Sequence, residues 1–234
     1  MVQTPLAPDI LYPESDGKPM ADNTEQYQWI VRLVFNLRLL LQDETAFVAG
    51  DLLWYPVQAK PGAVAVPSQA PDVMVVLGRP AGRRGSYRQW EEANLAPQVV
   101  FEIISPGNSP AEMSRKQRFY VEYGVLEGYF YDPDSHEFWG FSRNSVAEQP
   151  ALITPLDLPW TSPCLAIRFV LFEDGLTVYY PDGEPFKDPE ELGQERNQAL
   201  AERNQAVEER NQAFTERDRA WAKLRELGID PEQL

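Results

Sequence analysis

The chain has 234 residues, of which 43% are hydrophobic, so it can build the core of one sizeable domain or of one domain with an appendage. Its formal net charge of −15 excludes a uniformly basic nucleic-acid-binding protein, and any nucleic-acid contact needs a local basic patch, a metal ion or both. The single cysteine, Cys164, and the single histidine, His136, exclude an internal disulfide, a cysteine metal cluster and a multi-histidine metal site.

Three segments differ in composition. Residues 1–22 are rich in proline and polar side chains and predict an extended N-terminal arm. Residues 23–188 predict one domain, and residues 189–234 predict a separate long helix. The chain has no apolar run of about 18 residues and no basic signal-peptide start, so we expect a soluble cytoplasmic protein that does not contact a membrane.

The domain begins with its clearest helical pattern. Apolar residues recur at helical spacing between Trp29 and Leu41 and predict a long first helix. Residues 46–56 and 72–77 are typical of strands, and the first of them is broken at Gly50.

Strands and one further helix follow. A basic, glycine-rich loop over residues 78–97 leads to a strand at 98–104, which ends in the turn residues SPGNSP. Residues 111–125 predict a helix, residues 126–142 a hairpin, and residues 164–183 two more short strands. This order predicts a mixed sheet with helices, in an α/β or α+β domain.

The C-terminal segment repeats every seven residues. Large apolar residues share one heptad position, and asparagines lie three residues before it: Leu200, Val207, Phe214 and Trp221, with Asn197, Asn204 and Asn211. With the large residues at position d, the asparagines occupy position a, where Asn favours an in-register two-stranded pair. We therefore expect a long helix and a homodimer through residues 195–227. The alternative is a solvated helix, supported by charge pairs, that packs on its own domain.

Two acidic residues stand where core residues are expected. Glu102 lies inside the strand QVVFEII, on the same face as Val100 and Ile104. Burying a lone carboxylate costs several kcal/mol unless it is paired or bound to a cation. Asp72 begins the preceding strand, and two acids at neighbouring strand ends can share one Mg²⁺. The alternative is a half-exposed glutamate that is hydrogen-bonded to a turn amide.

Lys116 is placed to act with these acids. It follows Met113 by three residues and precedes Tyr120 by four, so it lies near the inner face of its helix. There it can stabilise a phosphate oxygen or position an attacking water. The alternative is a surface pair with Glu112, worth about 0.3–0.5 kcal/mol.

The loop and the following helix carry a cluster of basic residues. We expect these residues to form a rim near the same strand ends and to contact nucleic-acid phosphates: Arg79, Arg83, Arg84, Arg88, Arg115 and Arg118. The alternative is a solvated loop whose charge is balanced by Glu91 and Glu92.

The stretches PDVMVVLG and PQVVFEIISPGNSPAEMSRKQRFYVEYGVLEGYFYDP resemble the putative restriction endonuclease domain family that is abundant in cyanobacteria, a branch of the PD-(D/E)XK nuclease superfamily. The resemblance covers most of residues 20–185. It implies a restriction-endonuclease-like core and a Mg²⁺ or Mn²⁺ ion held by Asp72 and Glu102. It also makes the Ile103 carbonyl and Glu25, on the first helix, candidate ligands.

One position departs from the superfamily pattern. The motif has a lysine two residues after the strand glutamate, and this chain has Ile104 there. In the branch that it resembles, the lysine lies on the following helix, which maps onto Lys116.

The leading hypothesis is a metal-dependent endonuclease that hydrolyses DNA phosphodiester bonds, with Asp72, Glu102 and Lys116 as catalytic residues. The alternative is a catalytically silent binding or assembly module that keeps the nuclease fold and acts through its C-terminal helix. A phosphatase acting on small substrates ranks last, because the chain has no motif dedicated to it.

Overall fold

The computed structural model describes residues 12–17, 19–60 and 63–226. The chain divides into two compact units, the first ending at Asp188 and the second beginning at Pro189. Most of the predicted N-terminal arm, residues 1–11 and 18, lies outside the described residues, as does the end of the chain from residue 227.

Among its described residues, the first unit has two α-helices and eleven short strands. The helices are α1 (Thr24–Leu40) and α2 (Pro110–Tyr123). The strands are β1 (Ala46–Gly50), β2 (Trp54–Tyr55), β3 (Val73–Leu77), β4 (Tyr87–Arg88), β5 (Val99–Ile103), β6 (Glu127–Asp132), β7 (Glu137–Ser142), β8 (Ala151–Ile153), β9 (Trp160–Thr161), β10 (Arg168–Phe172) and β11 (Gly175–Tyr179).

A six-stranded mixed sheet forms the centre of this unit, in the order β1-β3-β5-β6-β7-β8. Only β5 and β6 pair in parallel among these strands, and helix α2 lies between them in the chain, as a parallel connection requires. Two smaller sheets have the orders β11-β10-β9 and β2-β4. The predicted mixed α/β fold is confirmed.

The two helices cover opposite faces of the sheet. Val99, Phe101 and Ile103 of β5 pack into the core cluster that contains the buried face of α1. Val100, which points the other way, packs with Met113 of α2. The alternation of side chains along β5 therefore divides the core into two layers.

Local sequence explains where the helices begin and end. The side chain of Asn23 accepts the backbone N–H of Gln26 at the start of α1, and Ser109 caps α2 in the same way. Helix α2 ends at Gly124, whose φ of 105° is left-handed and favours glycine.

The basic loop at 78–97 has more structure than the sequence predicted. Strand β4 pairs in parallel with β2, and a 3-10 turn over Gln89–Glu91 follows it. The buried side chain of Tyr87 donates its hydroxyl to the carbonyl of Leu95, which closes the loop on itself.

The second unit is one long helix, α3 (Pro189–Glu226). No residue of α3 is buried, and Leu200, Val207 and Phe214 are each between 39% and 46% exposed. Glutamine–glutamate hydrogen bonds one turn apart, such as Gln198 to Glu202, support its surface. Among the described helices, none has the length and apolar character needed to cross a membrane.

Candidate active site

Asp72 and Glu102 meet because β3 and β5 are antiparallel. Val73, the first residue of β3, lies opposite Phe101 near the end of β5. Asp72 is 8% exposed, and its Oδ2 accepts the backbone N–H of Ile103 at 2.7 Å. The start of one strand thus places a carboxylate beside the end of the other.

Helix α2 supplies partners for both oxygens of Glu102, which is 2% exposed. The ammonium of Lys116 lies 2.7 Å from Oε2, and the hydroxyl of Tyr120 donates to Oε1. Lys116 and Tyr120 are four residues apart and so lie on the same helical face. The sequence-based alternatives of a half-exposed glutamate and a surface lysine pair are therefore wrong for this site.

Helix α1 reaches the site through Gln26, and not through the predicted Glu25. The buried amide of Gln26 donates its Nε2 hydrogen to the carbonyl of Ile103 at 2.9 Å, and its Oε1 accepts the N–H of Asp22 at 2.8 Å. Glu25 is exposed and does not line the cleft, because consecutive helical residues are rotated by about 100° around the axis. The Ile103 carbonyl already accepts one hydrogen bond.

Asp72, Gln26 and Lys116 line a polar cleft of about 520 Å³. Its walls combine acidic side chains with two basic ones. The charged residues that line it are Asp16, Asp22, Asp51, Asp72, Glu112, Arg115 and Lys116. The cleft is therefore acidic as a whole, and a polyanionic ligand needs cations to enter it.

Burial and like charge raise the proton affinity of the acids. Burial and, next, the charge of Glu102 raise the pKa of Asp72 to about 8, although Lys116, the Ile103 amide and Gln26 oppose the shift. Burial also raises the pKa of Asp51 to about 6, with Asp16 as the next cause. The site thus concentrates negative charge that its own groups compensate only in part.

The two donors on α2 keep their protons. Burial acts to lower the pKa of Lys116, but Glu102 and Asp72 outweigh it and leave the pKa raised. Burial and Glu102 raise the pKa of the Tyr120 hydroxyl well above its usual value. Lys116 is therefore a cation and Tyr120 a neutral hydrogen-bond donor near neutral pH.

The donor set fits a hard divalent cation. Asp72 and Glu102 supply carboxylate oxygens and Ile103 a carbonyl oxygen, the ligand types that Mg²⁺ and Mn²⁺ take. A cation would also offset the repulsion by which Glu102 raises the pKa of Asp72. Within the described ranges, no group of three or more His, Cys, Asp or Glu residues is arranged to hold a metal ion.

Most of the predicted arginine rim lies elsewhere. Arg79 and Arg84 both bind Glu92, at 2.8 and 2.6 Å, beyond the end of β3. Because β3 and β5 are antiparallel, that end lies away from Asp72 and Glu102. The prediction that these arginines share the acidic strand ends was wrong, because Arg79 follows the end of β3 whereas Asp72 precedes its start.

The remaining predicted arginines have different surroundings. Arg83 is exposed in the loop, and Arg88 lies over the ring of Tyr12, 5.3 Å from its centroid, and 3.6 Å from Glu91. Arg115 is exposed and lines the cleft beside Lys116. Arg118 is exposed on α2 and does not line the cleft, so Arg115 is the one of the six predicted arginines that borders it.

The sequence reasoning missed Gln26 and Asp51 as site residues. Asp51 lines the cleft from a left-handed backbone position, φ 45°, and its N–H donates to the carbonyl of Asp72. The signal was the strand break at Gly50, where an acidic residue follows an otherwise apolar run. The signal for Gln26 was its position three and four residues before Trp29 and Ile30, which places a polar side chain on the buried face of the helix.

Comparison with known proteins places this chain in a family. The profile of the Uma2 family, described as "Putative restriction endonuclease", matches residues 14–172. A crystal structure of a putative nuclease belonging to DUF820 from Anabaena variabilis is similar, with a TM-score of 0.45, 18% identity, and coverage of 64% of this chain and 77% of that one. No curated protein sequence matches. Since the family profile spans most of the chain, the protein belongs to the Uma2 family of putative restriction endonucleases.

Proposed function

We propose that this protein is a metal-dependent endonuclease that hydrolyses DNA phosphodiester bonds. The observation that carries the proposal is the meeting of two buried carboxylates, Asp72 and Glu102, with the Lys116 ammonium at one end of two antiparallel strands. Membership of a nuclease family supports the same reaction class.

Asp72 and Glu102 hold Mg²⁺ or Mn²⁺ together with the Ile103 carbonyl. The bound ion supplies a Lewis acid for phosphodiester hydrolysis. Gln26 of α1 donates to the Ile103 carbonyl and the Ile103 amide donates to Asp72, so one residue, Ile103, is held by α1 and in turn holds Asp72 beside Glu102. This arrangement fixes the oxygens before a ligand arrives.

Lys116 and Arg115 supply the positive charge that the cleft offers to DNA. Lys116 contacts Glu102 and lines the cleft, so its ammonium can stabilise charge that develops on the phosphate. Arg115 lies on the same helix at the cleft wall and binds a neighbouring phosphate. Arg79 and Arg84 have no part in this contact, because both bind Glu92.

Plasmid cleavage tests this function. Supercoiled and single-stranded DNA would be incubated with the parent, Glu102→Gln, Lys116→Ala and the control Glu122→Gln, an exposed acid on α2. Each would be assayed with Mg²⁺, with Mn²⁺ and with EDTA. We expect metal-dependent nicking by the parent and the control, and a loss of at least about 100-fold in the two site variants. Well-folded parent that never cleaves would favour the silent binding module.

We also propose that α3 pairs with a second copy of itself, in parallel and in register. Three of its large apolar residues at seven-residue spacing are exposed, namely Leu200, Val207 and Phe214. This face of the helix can therefore pack against a second copy. Asparagines occupy position a of this repeat, where they specify two strands. In that register Arg203 at position g faces Glu208 at position e of the partner helix, an attractive pair.

The oligomeric state of the full chain tests the pairing. Sedimentation equilibrium would compare the parent with Val207→Asp/Phe214→Asp and with a control that adds the same charge off the seam, Gln205→Asp/Gln212→Asp. We expect dimers for the parent and the control and monomers for the seam variant. A parent that is monomeric at every concentration would contradict the pairing.

A further inference from the structure

Two residues of α2, Lys116 and Tyr120, bind the carboxylate of Glu102, and the proposed function assigns a role to Lys116 alone. Lys116 binds Oε2 and carries the charge that the reaction needs. The hydroxyl of Tyr120 binds Oε1 from a fully buried position, where it cannot touch DNA. Tyr120 can therefore act on the site only through its hydrogen bond to Glu102.

We propose that Tyr120 is a positioning residue for the metal centre, and this inference rests on the proposed function above. Two donors one helical turn apart fix both oxygens of the Glu102 carboxylate. With Oε1 and Oε2 each held, the carboxylate cannot rotate about its terminal bond, so it presents its remaining lone pairs to the cation in one orientation. Groups that hold a ligand in this way typically change metal affinity 10–100-fold when they are lost.

Neighbouring aromatic side chains hold the ring of Tyr120 in place. The ring stacks with Trp54 at a centroid distance of 6.4 Å and an interplanar angle of 14°, and it meets Phe119 edge-on at 6.0 Å. Trp54 is itself fully buried, and its indole N–H donates to Gln89. The hydroxyl therefore reaches Glu102 from a packed support.

The chain contains a matched pair that separates positioning from simple stability. Tyr129 is also buried, and its hydroxyl donates to the buried Glu127 at 2.9 Å. Glu127 lies opposite Val99 at the start of β5, whereas Glu102 lies near the end of that strand. A Tyr→Phe change at either position removes one hydroxyl–carboxylate bond, and at Tyr129 it also removes the bond accepted from the Trp160 indole. Only Tyr120 contacts Glu102.

The experiment measures Mn²⁺ binding by calorimetry and thermal unfolding in EDTA for the full-length parent, Tyr120→Phe and Tyr129→Phe. We expect both variants to unfold at lower temperature than the parent. Only Tyr120→Phe should bind Mn²⁺ more weakly, by about tenfold or more. Incorporation of 4-aminophenylalanine at position 120, which restores a donor, should recover the affinity and also serves if Tyr120→Phe does not fold.

Three results would overturn the inference. Unchanged Mn²⁺ affinity in Tyr120→Phe would remove the positioning role while leaving the metal centre in place. Equal weakening in Tyr129→Phe would show that general destabilisation lowers the affinity. A parent that does not bind Mn²⁺ would refute the proposed metal centre itself, and the role of Tyr120 would fall with it.

Discussion

The charges at the centre of the site are balanced unevenly. Asp72 and Glu102 are both buried, and Lys116 is the cation that contacts one of them. Burial and Glu102 together raise the pKa of Asp72 to about 8. The arrangement therefore favours ligand binding over the stability of the empty protein, as strained or repulsive functional sites generally do.

The pH dependence of stability reports this imbalance. The pKa of Asp72 is raised from 3.8 to about 8. Between these two pH values the folded protein therefore keeps a proton on Asp72, whereas the unfolded chain has released it. Its stabilising contribution is complete below about pH 4 and is lost as the pH rises through 8. The free energy of unfolding falls in that window by at most about 1.4 kcal/mol per pH unit from this group.

Asp72→Asn should flatten that profile in EDTA. Asparagine keeps an oxygen that can accept the Ile103 N–H and removes the charge that faces Glu102. We expect the variant to be at least as stable as the parent at pH 8 and to lose Mn²⁺ binding. Urea unfolding at several pH values would check this, with the exposed Asp174→Asn as control. A parent–variant difference independent of pH would contradict the prediction.

Lys116→Met should have the opposite effect on the metal-free protein. It keeps an apolar stem and leaves the buried Glu102 without its counter-charge, so the free energy of unfolding should fall by about 3 kcal/mol. Glu102→Gln in the same chain should restore most of that loss. A double-mutant cycle by urea unfolding measures the coupling. Additive effects would mean that the ion pair contributes nothing.

Among the strands and helices, the parallel strands β5 and β6 each carry one buried glutamate, and the two glutamates have different roles. Glu102 lies near the end of β5 and contacts Lys116, which lines the cleft, and Glu127 lies at the start of β6. Glu127 accepts bonds from Tyr129, Ser162 and the Cys164 amide, which attach the segment before β10 to the central sheet. We assign Glu127 to stability because its carboxylate is satisfied by these three donors.

Ser162→Ala should lower stability without affecting the site. The hydroxyl donates to Glu127 and accepts the N–H of Leu165, so its loss leaves two buried groups short of one partner each. We expect a loss of about 1–3 kcal/mol in the free energy of unfolding. Mn²⁺ affinity should equal that of the parent. A weaker affinity would show that the two ends of the sheet are coupled.

The whole molecule combines an acidic nuclease-family domain with an acidic helix. The cleft of the first unit is lined by more acids than bases, and α3 carries no buried residue. The chain divides into two compact units between residues 188 and 189. That these units are independent domains stays a prediction. The predicted pairing range of 195–227 extends one residue beyond the end of the described helix.

Asn204→Ile tests how α3 contributes to assembly. Asparagine at position a costs stability in a two-stranded coiled coil, and a β-branched apolar residue there stabilises it. We expect the variant to dimerise more tightly and to melt its helix at higher temperature, in a concentration-dependent way. Circular dichroism at several protein concentrations measures both. Gln205→Ile, one position away from the seam, should change neither.

Local periodicity made much of the site predictable. Alternation along β5 put Glu102 and Val100 on one face, and helical spacing put Lys116 and Tyr120 on one face of α2. The acid and the lysine follow each other closely in the chain, so the connection between strand and helix is short. Their contact therefore depends on little besides local geometry.

The sequence by itself determined the family, the mixed α/β class, the long C-terminal helix and the face on which Glu102 lies, because these depend on patterns within a few turns or strands. The tertiary structure decided that β3 runs against β5, that Gln26 reaches the site in place of Glu25, and that Arg79 lies at the far end. Strand direction and the position of a helix over the sheet are set by packing between residues far apart in the chain, which no local pattern encodes.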